Sequence, residues 1–466
     1  MTQPVFVQGI DATNLLLRYL IDPIAAVRRS YAEFGPFAVL RSPFRFVRFQ
    51  KTVVALAIGA EFNRQVLSDT ASWRTAHVGP GGPRNSASRR MSRGIFRMQG
   101  REHEHHRRLL LPPLRRKNID ARGADLAKLV QDEVETWPLG KPVDLWQLSR
   151  RMLQVISIGL LFGNDRARGL PVAQINYRWL LGTWSKGVNL FPLNIPGTPF
   201  YRMLSSAETL EREILAWVAC ADRDSPTNNF LSILATSPDE TGCPASPSKI
   251  AAQIPSLLLA AVETCQDALI WTLVLLDQHP KIAHDLLDEL RGRGAGDSPS
   301  LAGIAELPLL DAVIKESLRL LPPVPQQFRV AMQETTLAGF PLPRSARVVL
   351  SPFLTNRNPD FFPDTDRFKP ERWTSIDPSP YEYFVFSGGP RSCPGNWLAF
   401  AMIKMAVATI LTRYRIAIEP DARIDYRVGL ALSPRGEIPA TLHCQDGAFA
   451  AAPIRGRIRE LVQFPE

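Results

Sequence analysis

From about residue 250 to residue 277 the chain reads as one long apolar helix, "IAAQIPSLLLAAVETCQDALIWTLVLLD". Its most apolar part, Ile254 to Leu276, is cut by Glu263, Thr264, Gln266 and Asp267. Neither half therefore offers the roughly 20 uninterrupted apolar residues that a bilayer crossing needs. A helix this apolar belongs inside a globular body. A carboxylate and a hydroxyl in the middle of it are expensive to bury without work to do. The plainer alternative is a solvent-facing Glu263 beside a core Thr264. Pro255 is expected to bend the helix just upstream.

The rest of the pattern supplies partners for such a helix. "DPIAAVRRSYAEFG", Glu102 to Leu111, "ADLAKLVQDEVETW", "LWQLSRRMLQVISIGLLFG", "KIAHDLLDELRGR", "LPLLDAVIKESLRLL" and "GNWLAFAMIKMAVATILTRY" all carry helical periodicity. Strand-like pieces, "FAVLRSPFRFVRFQ" and "TVVALAI", lie near the front, and more alternate with Pro/Gly turns in the C-terminal third. The fold class expected is mostly α with a minor β part. Segment 77–99 reads as loop, basic and glycine-rich. Segment 222–249 reads as the loosest part of the middle, a surface excursion. No glycine-rich loop follows a strand in a dinucleotide or phosphate-loop context, so no nucleotide or flavin site is expected.

Hydrophobic residues make up 45% of the 466 and charged ones 21%, enough for a large core. The formal net charge of +10 raises nucleic acid as a partner. The basic residues are scattered among acids and apolar residues, however, and no nucleic-acid motif accompanies them, so an acidic protein partner is the better explanation. The N-terminal residues show no basic stretch followed by a long apolar run, so neither a signal peptide nor a membrane anchor is expected. The five cysteines, Cys220, Cys243, Cys265, Cys393 and Cys444, are odd in number and include no CxxC pair, which suits a reducing compartment.

Cys393 stands in "FVFSGGPRSCPGNWLAF". Pro394 follows it as a first-turn proline would, which puts the sulfur at a helix N-terminus where amides and the helix dipole favour thiolate. Gly388, Gly389 and Gly395 would let backbone approach a large flat ligand, and Arg391 would neutralise an anion on it. Such a thiolate suits haem iron. A lone cysteine is otherwise more often buried and inert, and no local base makes it a nucleophile.

Phe386, Gly389, Arg391, Cys393 and Gly395 match F-x-x-G-x-R-x-C-x-G at every position, which resembles the haem-thiolate signature of the cytochrome P-450 family. Further motifs follow the family's order. In "GREHEHHRRLLLPPL", His103 and Arg107 fit H-x-x-x-R. Glu263 and Thr264 fit the acid-alcohol pair, with Ala261 in place of the usual glycine and Cys265 in place of the second threonine. Glu316 and Arg319 fit E-x-x-R, three apart on one helix face. Arg372, in "FKPERW", fits the P-E-R segment, with Trp373 in place of Phe. The resemblance covers about residues 20–445 and implies one haem domain over 1–466, with small β-sheets and the haem between two long helices.

It also implies roles. Cys393 would be the proximal ligand of the iron of haem b (iron protoporphyrin IX), with Phe386 beside the sulfur and Gly395 in the haem-binding loop. His103, Arg107, Arg391 and Arg329 would hold the haem propionates. Glu263 and Thr264 would deliver protons. Glu316, Arg319 and Arg372 would form a structural charge network behind the cysteine loop. The reaction implied is monooxygenation by O2. Electrons would come from an external ferredoxin or flavodoxin with its NAD(P)H-dependent reductase, met by Arg101, Arg108, Arg115, Arg116 and Lys117. A cytoplasmic, soluble, bacterial-type protein is expected. A peroxide-dependent or isomerising enzyme on the same fold, or a non-catalytic haem sensor or carrier, are the alternatives, and the acid-alcohol pair argues against both.

The loop "NLFPLNIPGTPFY" resembles the apolar loop of branches that oxidise retinoids, sterols and other terpenoids. It points to a hydrophobic substrate (terpenoid, sterol, retinoid or fatty-acid-like) and to weak peripheral membrane contact. Leu190, Phe191, Leu193, Ile195 and Phe200 would roof the pocket, and Ala260 and Ala261 would line it. Arg84, Arg89, Arg90 and Arg93 would hold a carboxylate if the substrate is an acid.

Overall fold

The computed structural model describes residues 4–41, 53–76, 81–163, 165–185, 188, 191–220, 229–292, 299–429 and 431–465. The apolar run occupies its centre. It forms helix Pro247–Leu258, a π-helical turn Leu259–Glu263, and helix Thr264–Asp277. Ser246 caps its start by accepting from the Lys249 amide, with Pro247 in the first turn. The expected distortion near Pro255 thus takes the form of a widened turn four residues later, the kind of π bulge found at functional sites. By length and composition the whole element would suffice to cross a membrane, which the expectation of two short halves had excluded. Most of it is buried inside the protein, with Leu269, Ile270, Trp271 and Val274 fully so.

Helices enclose it. Leu145–Leu161, capped by Asp144 on the Trp146 amide, packs along it. Pro308–Leu320 and Asn396–Arg413 pack on its second half. Arg166–Trp184 and Pro199–Ala219 pair with each other, and Pro199–Ala219 also meets Pro247–Leu258. One cluster of buried apolar side chains joins all of these. The segment expected as a surface excursion holds helix Phe230–Thr236, with Phe230, Leu231 and Leu234 buried; residues 221–228 lie outside the described residues. Within 77–99, read as loop, a short helix Ala87–Met91 forms. Gly94 approaches the central helix so closely that a Cβ there would collide with Ser256 and the Ala252 carbonyl.

A six-stranded sheet flanks the helices in the order Val5–Gln8, Phe37–Arg41, Val53–Ala57, Arg347–Leu350, Gln327–Ala331, Trp73–Thr75. Both faces of its middle are covered. Phe37, Val39, Ala55, Ala57, Val348 and Leu350 enter one apolar cluster, while Ala38, Leu40, Val54, Leu56 and Val349 enter another with Val7 and Leu16. That division is the two-residue period of a strand. The rear half of "FAVLRSPFRFVRFQ", residues 42–50, lies outside the described residues. A smaller sheet, Tyr414–Ile418, Pro439–Cys444 and Pro142–Asp144, closes the far end, beside hairpin Tyr426–Val428/Leu432–Pro434. Strand Gln327–Ala331 brings Arg329 to the cysteine loop, and the hairpin brings Arg427 and Ser433 to the central helix.

Candidate active site

Cys393 lies in the turn before helix Asn396–Arg413. Its amide donates to the Phe386 carbonyl at 2.8 Å, which closes the loop, and the Phe386 ring stacks toward Phe400 at 5.6 Å. Gly389 has φ +65°, and a Cβ there would collide with the Leu67 carbonyl, so the turn requires glycine. Gly395 is not strained; its contribution is the amide it directs at the Cys393 sulfur. That amide and Arg107 favour thiolate, as the helix-terminus argument expects. Burial outweighs them and pushes the thiol above its ordinary value. The side chain is nevertheless solvent-accessible although it sits deep in the fold. A bound metal cation would deprotonate such a thiol outright.

Four cationic or ionisable side chains gather beside it. Arg391 donates to the Met98 carbonyl at 2.8 Å and to Gln99 Oε1 at 3.0 Å, tying the loop to helix Gly100–Leu110. Arg329 is buried and, among the described residues, donates to the Phe328 carbonyl and Gln327 Oε1 alone. Burial and then Arg391 lower it to about 10. His103 is lowered to about 4 by burial, then by Arg391 and Arg107. Arg107 is lowered by burial and offset by Cys393. Among the described residues no carboxylate pairs with Arg107, Arg329 or Arg391. The cluster thus fits a ligand that brings its own anionic groups.

Opposite stands the central helix. From Ile250 to Asp277 every residue is buried except Leu259, Ala260, Ala261 and Thr264. The π turn therefore opens one face. Thr264 Oγ1 donates to the Ala260 carbonyl at 2.7 Å. Glu263 is buried, accepts from Gln266 Nε2 at 2.8 Å, and is raised to about 7 by burial, with Arg150 and Arg427 opposing. The helix lies near enough to the cysteine loop that Cys393 raises the Cys265 thiol, after burial, to about 12.

Behind the loop, Glu316 and Arg319 are fully buried and joined by two hydrogen bonds of 2.9 Å. Arg372 Nε reaches Glu316 Oε1 at 3.0 Å. Arg319 also donates to the carbonyls of Asn356, Thr365 and Arg367. Two members went unread in the sequence: the Lys369 amide and the Trp373 indole each donate to Glu316 at 3.0 Å. The replacement of Phe by Trp in the P-E-R segment was the available signal.

A family model for cytochrome P450 matches residues 41–436. The chain belongs to the cytochrome P450 family. That family is one of haem-dependent oxidoreductases. The β-amyrin 6-β-monooxygenase of Solanum lycopersicum is 27% identical over 301 residues, 63% of this chain but only 62% of that protein. The cyclooctatin synthase of Streptomyces melanosporofaciens is 27% identical over 397 residues, 82% of this chain and 84% of that protein. A retinoic acid-bound cyanobacterial CYP120A1 superposes with a TM-score of 0.80 at 23% identity, covering 92% of this chain and 96% of that one. At that identity it speaks for the fold alone.

The residues of this P450 fit a haem: one accessible sulfur, a cation cluster without acids for two propionates, and an open helix face opposite. The substrate-loop expectations need correction. Phe191 is 67% and Ile195 55% exposed, so neither roofs an enclosed pocket; Leu193 is likewise exposed, while Phe200 is buried in the core. Thr198 Oγ1 bonds the Leu193 and Ile195 carbonyls and caps the next helix, which fixes the turn that carries these exposed side chains. Leu190 lies outside the described residues. Arg90 is not free for a substrate acid, because Glu211 takes it in a two-pronged pair at 2.6 Å. Arg97, overlooked in the sequence, lies instead with Arg89 and Arg93.

Proposed function

We propose that this P450 hydroxylates a long or polycyclic hydrophobic substrate of terpenoid type, with haem b held by Cys393 and electrons supplied by an external ferredoxin or flavodoxin. The observation that carries the reading is the pairing of one accessible cysteine, beside an acid-free cationic cluster, with an open helix face bearing Thr264 and backed by Glu263. The haem, when bound, supplies the activation of O2. The chain's own residues do the rest. His103, Arg107, Arg329 and Arg391 bind the propionates and set the ring's orientation. Phe386 shields the sulfur on one side. Ala260 and Ala261, being small, leave room on the open face. Thr264 passes a proton from its hydroxyl, and Glu263, held near neutrality by burial, replaces it. A group titrating close to pH 7 is suited to both halves of that exchange.

The substrate class rests on the relatives, whose names specify β-amyrin and cyclooctatin chemistry, and on a helix face with no charge. The exposed Phe191, Leu193 and Ile195 suit contact with a lipid surface, and the exposed Arg101, Arg108, Arg115, Arg116 and Lys117, with Arg116 lying 5.0 Å over the exposed Trp397, suit an acidic electron donor. A cytoplasmic bacterial setting is part of the same reading. The reduced carbon-monoxide complex tests the ligand: Cys393→Ala should abolish the red-shifted thiolate Soret band, and its persistence would assign the iron to another residue. Turnover with O2 and a surrogate reductase, against peroxide alone, tests the reaction.

A further inference from the structure

Among the described residues, six buried polar side-chain atoms without a hydrogen-bond partner lie on helix Leu145–Leu161 and the two helices it packs against: Arg150 Nε, Gln154 Nε2 and Ser157 Oγ on Leu145–Leu161, Asn176 Oδ1 on Arg166–Trp184, and Gln266 Oε1 and Asp267 Oδ1 on Thr264–Asp277. Arg150, Gln154 and Ser157 recur at spacings of four and three, so they share one helix face. Arg150 acts electrostatically on Glu263 and on Asp267, which places that face against the central helix. Asp267 is completely buried one turn beyond Glu263, and Ser433 donates to its Oδ2 at 2.6 Å. At the outer end the Arg150 guanidinium lies 3.1 Å over the Tyr177 ring, and Arg427 donates to the Tyr177 hydroxyl at 2.8 Å. Arg150, Tyr177 and Arg427 are partly exposed, whereas Glu263 and Asp267 are not.

Buried polar atoms are bonded to protein or to ordered water in nearly every case, and a buried water needs two to four polar partners. A row of orphaned donors and acceptors, wet at one end and ending on an acid, is what a chain of water molecules requires. We propose that this stripe is the water-bearing path that returns protons to Glu263, with Asp267 as an intermediate acid. Each carboxyl accepts one proton from the outer side and gives one to the inner side. Protons enter past Arg150, Tyr177 and Arg427, pass by way of Asp267 to Glu263, and leave through the Thr264 hydroxyl. The two arginines keep a transient carboxylate from being prohibitively costly. Asp267 is thus a positioning and relay residue, and this inference rests on the proton-delivery role proposed for Glu263.

Asp267→Asn is the direct test, because it removes the titratable proton while the amide oxygen can keep the Ser433 contact. In haem-loaded protein with an intact thiolate band, it should lower turnover roughly tenfold, less than the loss of a donor at the reacting group itself, and raise both the solvent deuterium isotope effect and peroxide release. Asp267→Glu should restore much of the rate. Infrared spectra of the resting protein should show one buried protonated-carboxyl band lost in Asp267→Asn and a different one lost in Glu263→Gln. Unchanged turnover and isotope effect in Asp267→Asn, with Glu263→Gln slow, would overturn the relay alone; both variants unchanged would overturn the role of Glu263 as well. If Asp267→Asn does not fold, Gln154→Leu must raise the isotope effect, and its failure to do so overturns the path.

Discussion

Two buried glutamates stand on opposite sides of the cysteine loop, and their surroundings differ. Glu316 receives five hydrogen bonds: two from Arg319 and one each from Arg372, the Lys369 amide and the Trp373 indole. Its partner Arg319 spends its remaining donors on three carbonyls. Glu263 receives one, from Gln266, and its neighbours Gln266, Asp267 and Arg150 each keep an unpartnered atom. A fully satisfied buried network is rigid; a partly satisfied one is costly but able to change state. The first arrangement ties helix Pro308–Leu320 to the segment from Asn356 to Trp373. The second leaves an acid near its own titration point, which is the condition for moving protons.

The comparison predicts unequal damage. The largest effect is expected for Glu316→Ala, which strands Arg319 and Arg372 as uncompensated buried charges. Breaking a buried pair costs about 3–5 kcal/mol, a large part of a typical domain's stability. Urea denaturation should show that loss, and the protein should purify with little haem; a variant near wild-type stability would mean that the network is not what ties the helix to that segment. Glu263→Gln should instead keep haem and substrate binding, measured by the spin-state titration, while turnover falls by roughly a hundredfold or more. An equal rate would reduce Glu263 to packing. The smallest effect is expected for Trp373→Phe, which removes one of five donors to Glu316 and should cost about 1–2 kcal/mol with normal haem content. A loss as large as that of Glu316→Ala would show that the indole, not the two arginines, is the main support.

How much of this was legible in the sequence follows from how local each feature is. The cysteine loop was readable because Phe386 to Gly395 are ten consecutive residues whose spacing is their geometry. His103 with Arg107, and Glu316 with Arg319, were readable because one helical turn joins them. The Glu263 surroundings were not, since Asp267 meets Ser433 and Tyr177 meets Arg427 across 166 and 250 residues of chain. Asp267 was visible as an interruption of the apolar run, but nothing local said what faced it. The thiol of Cys393 was read as favoured by its amide when burial wins, because desolvation depends on the whole fold. The apolar loop was misread for the related reason that hydrophobicity alone does not say which way Phe191 and Ile195 face. Likewise Arg90, counted for the substrate, finds Glu211 only once the fold brings helices Ala87–Met91 and Pro199–Ala219 together.

The central claim, that Glu263 is held in a destabilising environment for use while Glu316 is held for stability, is tested most directly by the pH dependence of Glu263→Gln stability. Burial raises the Glu263 carboxyl from 4.5 to about 7 in the folded protein. Between those values the folded state binds the extra proton, so the wild type loses stability as pH rises, and the amide does not. In urea denaturation the variant should match the wild type near or below pH 4.5 and gain on it up to pH 7. Above pH 7 it should level off at an advantage of up to about 3 kcal/mol. A difference that stays flat across this range, or a variant less stable than the wild type at pH 8, would contradict the account.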